Sequence, residues 1–276
     1  MPHAASQQFR GGAAVTDGRR PLSVERRGGI ITATIDDPET RNAMSDALLV
    51  ALGDVFDTVD GDRTLKALVV QGAGGRFCAG AQLKSDALAA GHDAIAALSK
   101  RGAEVYRRLA ALPLAVVAVV DGPAFGGGFG LACCADIVLC GPRARFALSE
   151  TTLGLVPAQI APFVVSRIGL PATRRLALGG MVIGAEEALA IGLADAAAAD
   201  EAELAELTAK VLAGIDRCGP HANAATKALL LSLEAIPEGF VDRAADVFAT
   251  AVCGEEGREG VRAFREKRNP RWVEGL

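Results

Sequence analysis

The 276-residue chain lacks several things, and each absence removes a class of function. It has no block of like charges, and 29 basic against 33 acidic side chains leave a formal net charge of −4. That balance argues against a nucleic-acid or membrane-surface partner. Its longest strongly apolar run, 112–120, falls far short of the roughly 20 residues a membrane span needs and reads as a buried strand. The first twenty residues lack the apolar core of a signal segment; residues 1–20 read as a disordered extension, and a cytoplasmic location is expected. The six cysteines show no CxxC spacing and the three histidines are scattered, so no metal site is expected and buried, reduced thiols are. Neither dinucleotide nor P-loop binding fits: from Gly126 or Gly128 no third glycine completes GxGxxG, and Gly128 is followed by Phe129 rather than Lys. No internal repeat is present.

What remains is a chain half apolar and 22% charged, long enough for one sizeable core. Over 21–200, short β-rich runs alternate with helical or loop segments, and over 201–276 the pattern is helical; the fold class is α/β with a C-terminal helical region. LSVERR and IITATID form a hairpin turned at Gly28-Gly29. Ser45 and Asp46 start a helix, ALVVQG (67–72) and AVVAVV (115–120) are strands, and the segment 93–111 between them is helical. Asp136 opens the short strand IVLC.

The loops carry the chemistry. GPAFGGGFGLACCAD (122–136) places three consecutive glycines ahead of a buried helix. Such a turn presents free backbone N–H groups and the positive helix end, which suits an oxygen bearing negative charge; the other reading is that the glycines only let helix and strand pack closely. RFCAGAQL (76–83) also follows a strand and is built of small residues. Two such loops can each place one N–H on a single oxygen, which makes an oxyanion hole.

With RNAM at 41–44, FCAGAQL at 77–83, GPAFGGGFGLACCADI at 122–137, FALSETTLGLVP at 146–157 and FREKRNPRW at 264–272, the chain resembles the crotonase, or enoyl-CoA hydratase/isomerase, superfamily. The resemblance implies a crotonase-like fold of stacked β-β-α turns, a trimer or hexamer assembled through the helical region 201–276, and an acyl-CoA thioester as substrate, with coenzyme A part of the substrate and no separate cofactor. It implies backbone donors at Ala81 and Gly127, and a coenzyme A groove lined at Arg41, Ala43, Ala79, Gln82 and Leu83, with Gly126 beside the acyl group. It also implies that Lys267 reaches the coenzyme A phosphates of a neighbouring subunit.

Of the two glutamates used by family hydratases, the second matches Glu150, while the first position holds Gly130. Glu150 is therefore expected to be the general acid/base, against the alternative of a solvated loop carboxylate. Gly130 is expected to leave room for a branched or carboxylate-bearing acyl group. Asp136 reads as structural. Gln159 has two readings, a contact to a polar substrate tail and a surface amide. The motif set looks most like hydratases of methylglutaconyl- or isoprenoid-glutaconyl-CoA in leucine or terpene breakdown. Hydration is favoured; 3-enoyl to 2-enoyl isomerisation with one base, or thioester binding without turnover, are the alternatives.

Overall fold

A computed structural model describes residues 20–82, 91–232 and 238–271. Strands β1 (Leu22–Arg27) and β2 (Ile30–Ile35) pair antiparallel across a turn in which Gly28 takes φ 61°, as the hairpin reading requires. β2 then pairs in parallel with β3 (Ala67–Gly72), which continues through β4 (Ala115–Val120), β6 (Ile137–Cys140) and β9 (Ala196–Ala197). A second, three-stranded sheet holds β5 (Pro123–Phe125), β7 (Arg145–Ala147) and β8 (Val182–Gly184). Isolated bridges, Cys78 to Ala124 and Met44 to Ala81, extend this layer across the earlier loops.

The two layers define the repeat. After β2 the chain passes through Met44 into helix α1 (Asp46–Gly61); after β3 it passes through 78–81 towards α2 (His92–Ala111). After β4 it passes through β5 into α3 (Gly127–Cys133), and after β6 through β7 into a 3₁₀ turn (Glu150–Leu153) and α4 (Ala161–Gly179). This is the stacked β-β-α arrangement. Parallel strands need such crossovers, and burial on both sheet faces explains the uninterrupted apolar runs of β3 and β4. Leu68, Val70, Val116 and Val120 face the main core with Leu48, Leu52 and Phe56 of α1, whereas Val69, Val117 and Val119 face the opposite layer.

That opposite layer includes Leu204 and Ile215 of α6 (Glu201–Asp216); α5 (Ala185–Ala190) precedes it. Helices α7 (Pro220–Leu231), α8 (Phe240–Cys253) and α9 (Glu255–Arg265) complete the helical region. α8 lies on α2 of the same chain, and Ala249 and Val252 join Ile95, Leu155 and Val261 in a small core. Part of the apolar surface that the sequence assigns to assembly is thus covered within the chain, while Val241 and Val247 remain exposed.

Three local expectations concern individual side chains. The Ser45 side chain accepts the Leu48 N–H at 3.2 Å, a cap of the kind worth about 1 kcal/mol. Asp136 Oδ2 accepts the Val116 N–H and the Lys227 ammonium, both at 2.7 Å, tying β4 to α7. Four cysteines (Cys78, Cys133, Cys134 and Cys140) are buried, but Cys218 is exposed and Cys253 half-buried, a correction to the expectation of uniformly buried thiols. No helix among the described residues is long and apolar enough to cross a membrane, and no group of three or more potential metal ligands occurs among them.

Candidate active site

Where the second layer hands the chain to its helices, several loops meet. At the first, Arg41 and Asn42 both adopt left-handed backbone (φ 60° and 61°). Asn42 offsets the strain of that conformation: its Nδ2 donates to the Ala73 and Arg76 carbonyls at 3.2 and 2.9 Å, and its Oδ1 accepts the Asp37 N–H at 2.8 Å. The RNAM loop is thereby fixed to the loop after β3. Met44 N–H donates to the Gly80 carbonyl at 2.8 Å and Met44 O accepts Gln82 N–H at 3.4 Å, an alternation that leaves the intervening Ala81 N–H outside the bridge.

Gly80 (φ 91°) runs directly over the glycine loop, since a Cβ built there would lie 2.8 Å from Phe125 O and 3.4 Å from Gly127 N. Reciprocally, a Cβ on Gly127 would lie 3.6 Å from Ala81 N. The two expected donors are therefore brought together. Neither N–H has a hydrogen-bond acceptor among the described residues.

Each glycine of the triplet answers to a different neighbour. Gly126 takes φ 49°, and a Cβ there would meet Glu150 Oε1 at 3.0 Å. At Gly127 it would meet the Tyr106 hydroxyl at 2.6 Å and Met44 Sδ at 3.0 Å, and at Gly128 it would run into the Cys78 carbonyl. The helix starts at Gly127, two residues before the apolar run that marks it in the sequence. Close packing on Cys78 thus accounts for one glycine, and groups facing the loop for the other two.

Glu150 opens the 3₁₀ turn after β7. Its residue surface is half-buried, but Oε2 is fully buried with no hydrogen-bond partner among the described residues. Desolvation pushes its carboxyl from the ordinary 4.5 up to about 7, only partly opposed by its own backbone N–H. The turn is held on both sides. Thr151 Oγ1 donates to the Ala177 carbonyl of α4 at 2.6 Å, and α9 presses so closely that a Cβ on Gly260 would enter the Leu153 carbonyl.

Two expectations change. The space above Gly130 is not open: a Cβ there would overlap Ile160 Cγ2 and approach Tyr106 Cε1 to 3.3 Å. The absent first glutamate is replaced by the Ile160 side chain rather than by room for substrate. Gln159 is 8% exposed, not a surface amide. Its Nε2 donates to Ser99 Oγ of α2 at 3.2 Å and to the Val241 carbonyl of α8 at 3.1 Å, and its Oε1 is buried without a partner among the described residues.

The groove residues fall less tightly together. Arg41, Ala79 and Ala81 are exposed, Gln82 is half-buried and Ala43 is buried. Leu83 lies outside the described residues. Lys267 (φ 53°) follows the C-terminal end of α9 and is exposed. Tyr106, which no sequence motif marks, sits on the buried stripe of α2 with Ile95, Ala103 and Leu109, and its ring lies 6.2 Å from that of Phe163. A signal for it exists nonetheless: it is the chain's single tyrosine, a polar-tipped ring within an apolar helical face.

The enoyl-CoA hydratase/isomerase family model matches residues 25–275, and the chain belongs to this family. It is 45% identical to Pseudomonas aeruginosa AtuE, a structure matched over 92% of this chain and 100% of the other with a TM-score of 0.76. An enoyl-CoA hydratase/isomerase from Marinobacter aquaeolei is 40% identical, with 92% and 99% covered and a TM-score of 0.75. The 2,3-dehydroadipyl-CoA hydratase of Escherichia coli K12 is 30% identical over 251 residues, covering 90% of this chain and 97% of the relative. The protein is an enzyme of the hydratase or isomerase kind, with the crotonase-like α/β fold.

Proposed function

We propose that the protein adds water across the 2,3-double bond of an enoyl-CoA thioester, with Glu150 as its only acid/base. The observation that carries this is the Glu150 carboxylate, its Oε2 buried without a partner among the described residues and its Oε1 beside Gly126, one residue from the paired N–H groups of Ala81 and Gly127. The thioester oxygen accepts both N–H groups. Water attacks C3 as its proton passes to Glu150, the electron pair of the double bond moves onto the thioester oxygen, and the enolate collapses as Glu150 returns the proton to C2. A carboxyl held near 7 suits both halves, being ready to accept and to donate at neutral pH. Two preorganised donors facing the developing charge supply the electrostatic part.

Coenzyme A is part of the substrate in this reading, lying along Arg41, Ala43, Ala79, Gln82 and Leu83. The acyl group is of a branched or glutaconyl type. Support comes from the motif likeness and from a relative named for a dicarboxylic thioester, 2,3-dehydroadipyl-CoA, and no longer from space at Gly130. The functional unit is a homotrimer or hexamer: Leu178, Met181, Val182 and Leu189 around β8, and Leu229, Leu230 and Leu231 on α7, are exposed in the single chain. In a partner subunit's groove, Lys267 meets the coenzyme A phosphates.

The single carboxylate equally fits a second reading, in which Glu150 takes a proton from C2 of a 3-enoyl thioester and returns it to C4. Incubation with crotonyl-CoA, a 3-enoyl-CoA and methylglutaconyl-CoA separates the readings by conjugated absorbance. Hydration predicts loss of absorbance with the first and third. A gain with the 3-enoyl substrate alone establishes isomerisation, and tight binding without any change establishes a binder.

A further inference from the structure

The Tyr106 hydroxyl has a position and a partner that its packing role does not explain. The residue is 6% exposed, and its O–H donates to Met44 Sδ at 3.0 Å. A thioether is a weak acceptor, whereas a buried tyrosine hydroxyl ordinarily finds a strong one. No other acceptor for it occurs among the described residues. The same oxygen lies where a Gly127 side chain would project, so the glycine clears the hydroxyl, and Ala81 N lies within 3.6 Å of that same point. The ring centroid lies 6.2 Å from that of Phe163, and its Cε1 and the Ile160 side chain both border the space over Gly130.

From this arrangement we infer that the Tyr106 hydroxyl is a third donor to the thioester oxygen, turning from Met44 Sδ to the enolate as charge develops beside Ala81 and Gly127. The inference rests on the oxyanion-hole reading above and extends it. Burial holds the phenol well above its ordinary pKa of 10, so it remains a neutral donor throughout the working range. An O–H aimed at developing charge in a dry site strengthens most in the transition state, which places its effect in kcat rather than KM. It also gives the site polar support on the side where no second carboxylate stands.

The test uses Tyr106→Phe, which keeps the ring, and butyryl-CoA labelled with ¹³C at the thioester carbonyl, which has no double bond to hydrate. Infrared spectra of the bound carbonyl are compared with free butyryl-CoA. The expected result is a downshifted stretch in the wild type that moves part of the way back in Tyr106→Phe, together with a fall of about 10²-fold in kcat and KM within a few-fold, the scale of losing one oxyanion donor. An equal downshift in both proteins leaves the Ala81–Gly127 hole standing and overturns the role of Tyr106. No downshift in the wild type overturns the hole itself and the inference with it. Should Tyr106→Phe fold poorly, biosynthetic fluorotyrosine replaces this one tyrosine alone. The more acidic phenol is then expected to deepen the downshift, and an unchanged stretch refutes the inference.

Discussion

Two glutamates on opposite sides of one contact show what burial does and does not decide. Glu150 opens the 3₁₀ turn; Glu259 sits on α9, the helix pressed against that turn. Glu259 is 5% exposed, accepts hydrogen bonds from the Arg268 and Arg262 guanidinium groups at 2.7 and 2.5 Å and from the Arg271 N–H at 3.2 Å, and its carboxyl is lowered to about 2. Glu150 has a buried oxygen without such partners and is raised to about 7. A carboxylate surrounded by donors is a structural anion; one left unpaired is available for a proton. The paired glutamate helps to pack the helix that holds the unpaired one in place.

The largest effect expected from this contrast is on turnover. Glu150→Gln should lower kcat by at least ~10²-fold with thioester affinity within a few-fold, as expected for loss of a general acid/base, whereas Glu259→Gln should reduce stability before it changes chemistry in the folded enzyme. Steady-state kinetics and calorimetric binding of both variants check the contrast; near-normal turnover in folded Glu150→Gln removes it from the mechanism.

Stability against pH should separate the two in opposite directions. Because folding raises the Glu150 pKa, its contribution is fully present below its unfolded value near 4.5 and is lost as pH rises through about 7. Glu150→Gln should therefore gain stability over wild type between those values, reaching at most about 3 kcal/mol above them, since a tenfold change in proton affinity between the folded and unfolded chains is worth about 1.4 kcal/mol. Glu259 is the reverse case, its contribution being present above its unfolded value and lost as pH falls through about 2. Denaturant titrations at pH 4.5, 6 and 8 read the Glu150 difference, and a Glu150→Gln gain independent of pH contradicts it.

A smaller effect concerns the vacant carboxylate position. Gly130→Ala should cost about 1–3 kcal/mol by overpacking against Ile160, and Ile160→Ala in the same chain should recover much of that. Additive losses in the double-mutant cycle place the strain elsewhere. Gln159→Leu, which strips the donors from Ser99 and Val241, should cost about 1 kcal/mol, measured by the same titrations.

Much of the frame was legible because local signals specify it: the Gly28-Gly29 hairpin, the Ser45 cap, and the apolar runs of β3 and β4; Glu150 was singled out through the family resemblance, by its place in FALSETTLG. The remainder depends on contacts between segments far apart in the chain. Nothing local to Gly130 announces that Ile160 covers it, and nothing near Gln159 announces that α8 seals it. Tyr106 lies on an apolar stripe whose spacing calls for core, and only the folded contact with Gly127 shows what its hydroxyl faces. The glycine triplet was readable as close approach, either to a ligand oxygen or between helix and strand; in the structure Glu150, Tyr106 and the Cys78 carbonyl each lie against one of the three.

That one unpaired carboxylate does the proton work is tested most directly by the pH dependence of kcat/KM for hydration. The wild type should show a single rising limb with an inflection near 7 as Glu150 loses its proton, and the residual activity of Glu150→Gln should lack that limb. A wild-type profile with its inflection near 4.5, or the same limb retained in Glu150→Gln, contradicts that role for Glu150.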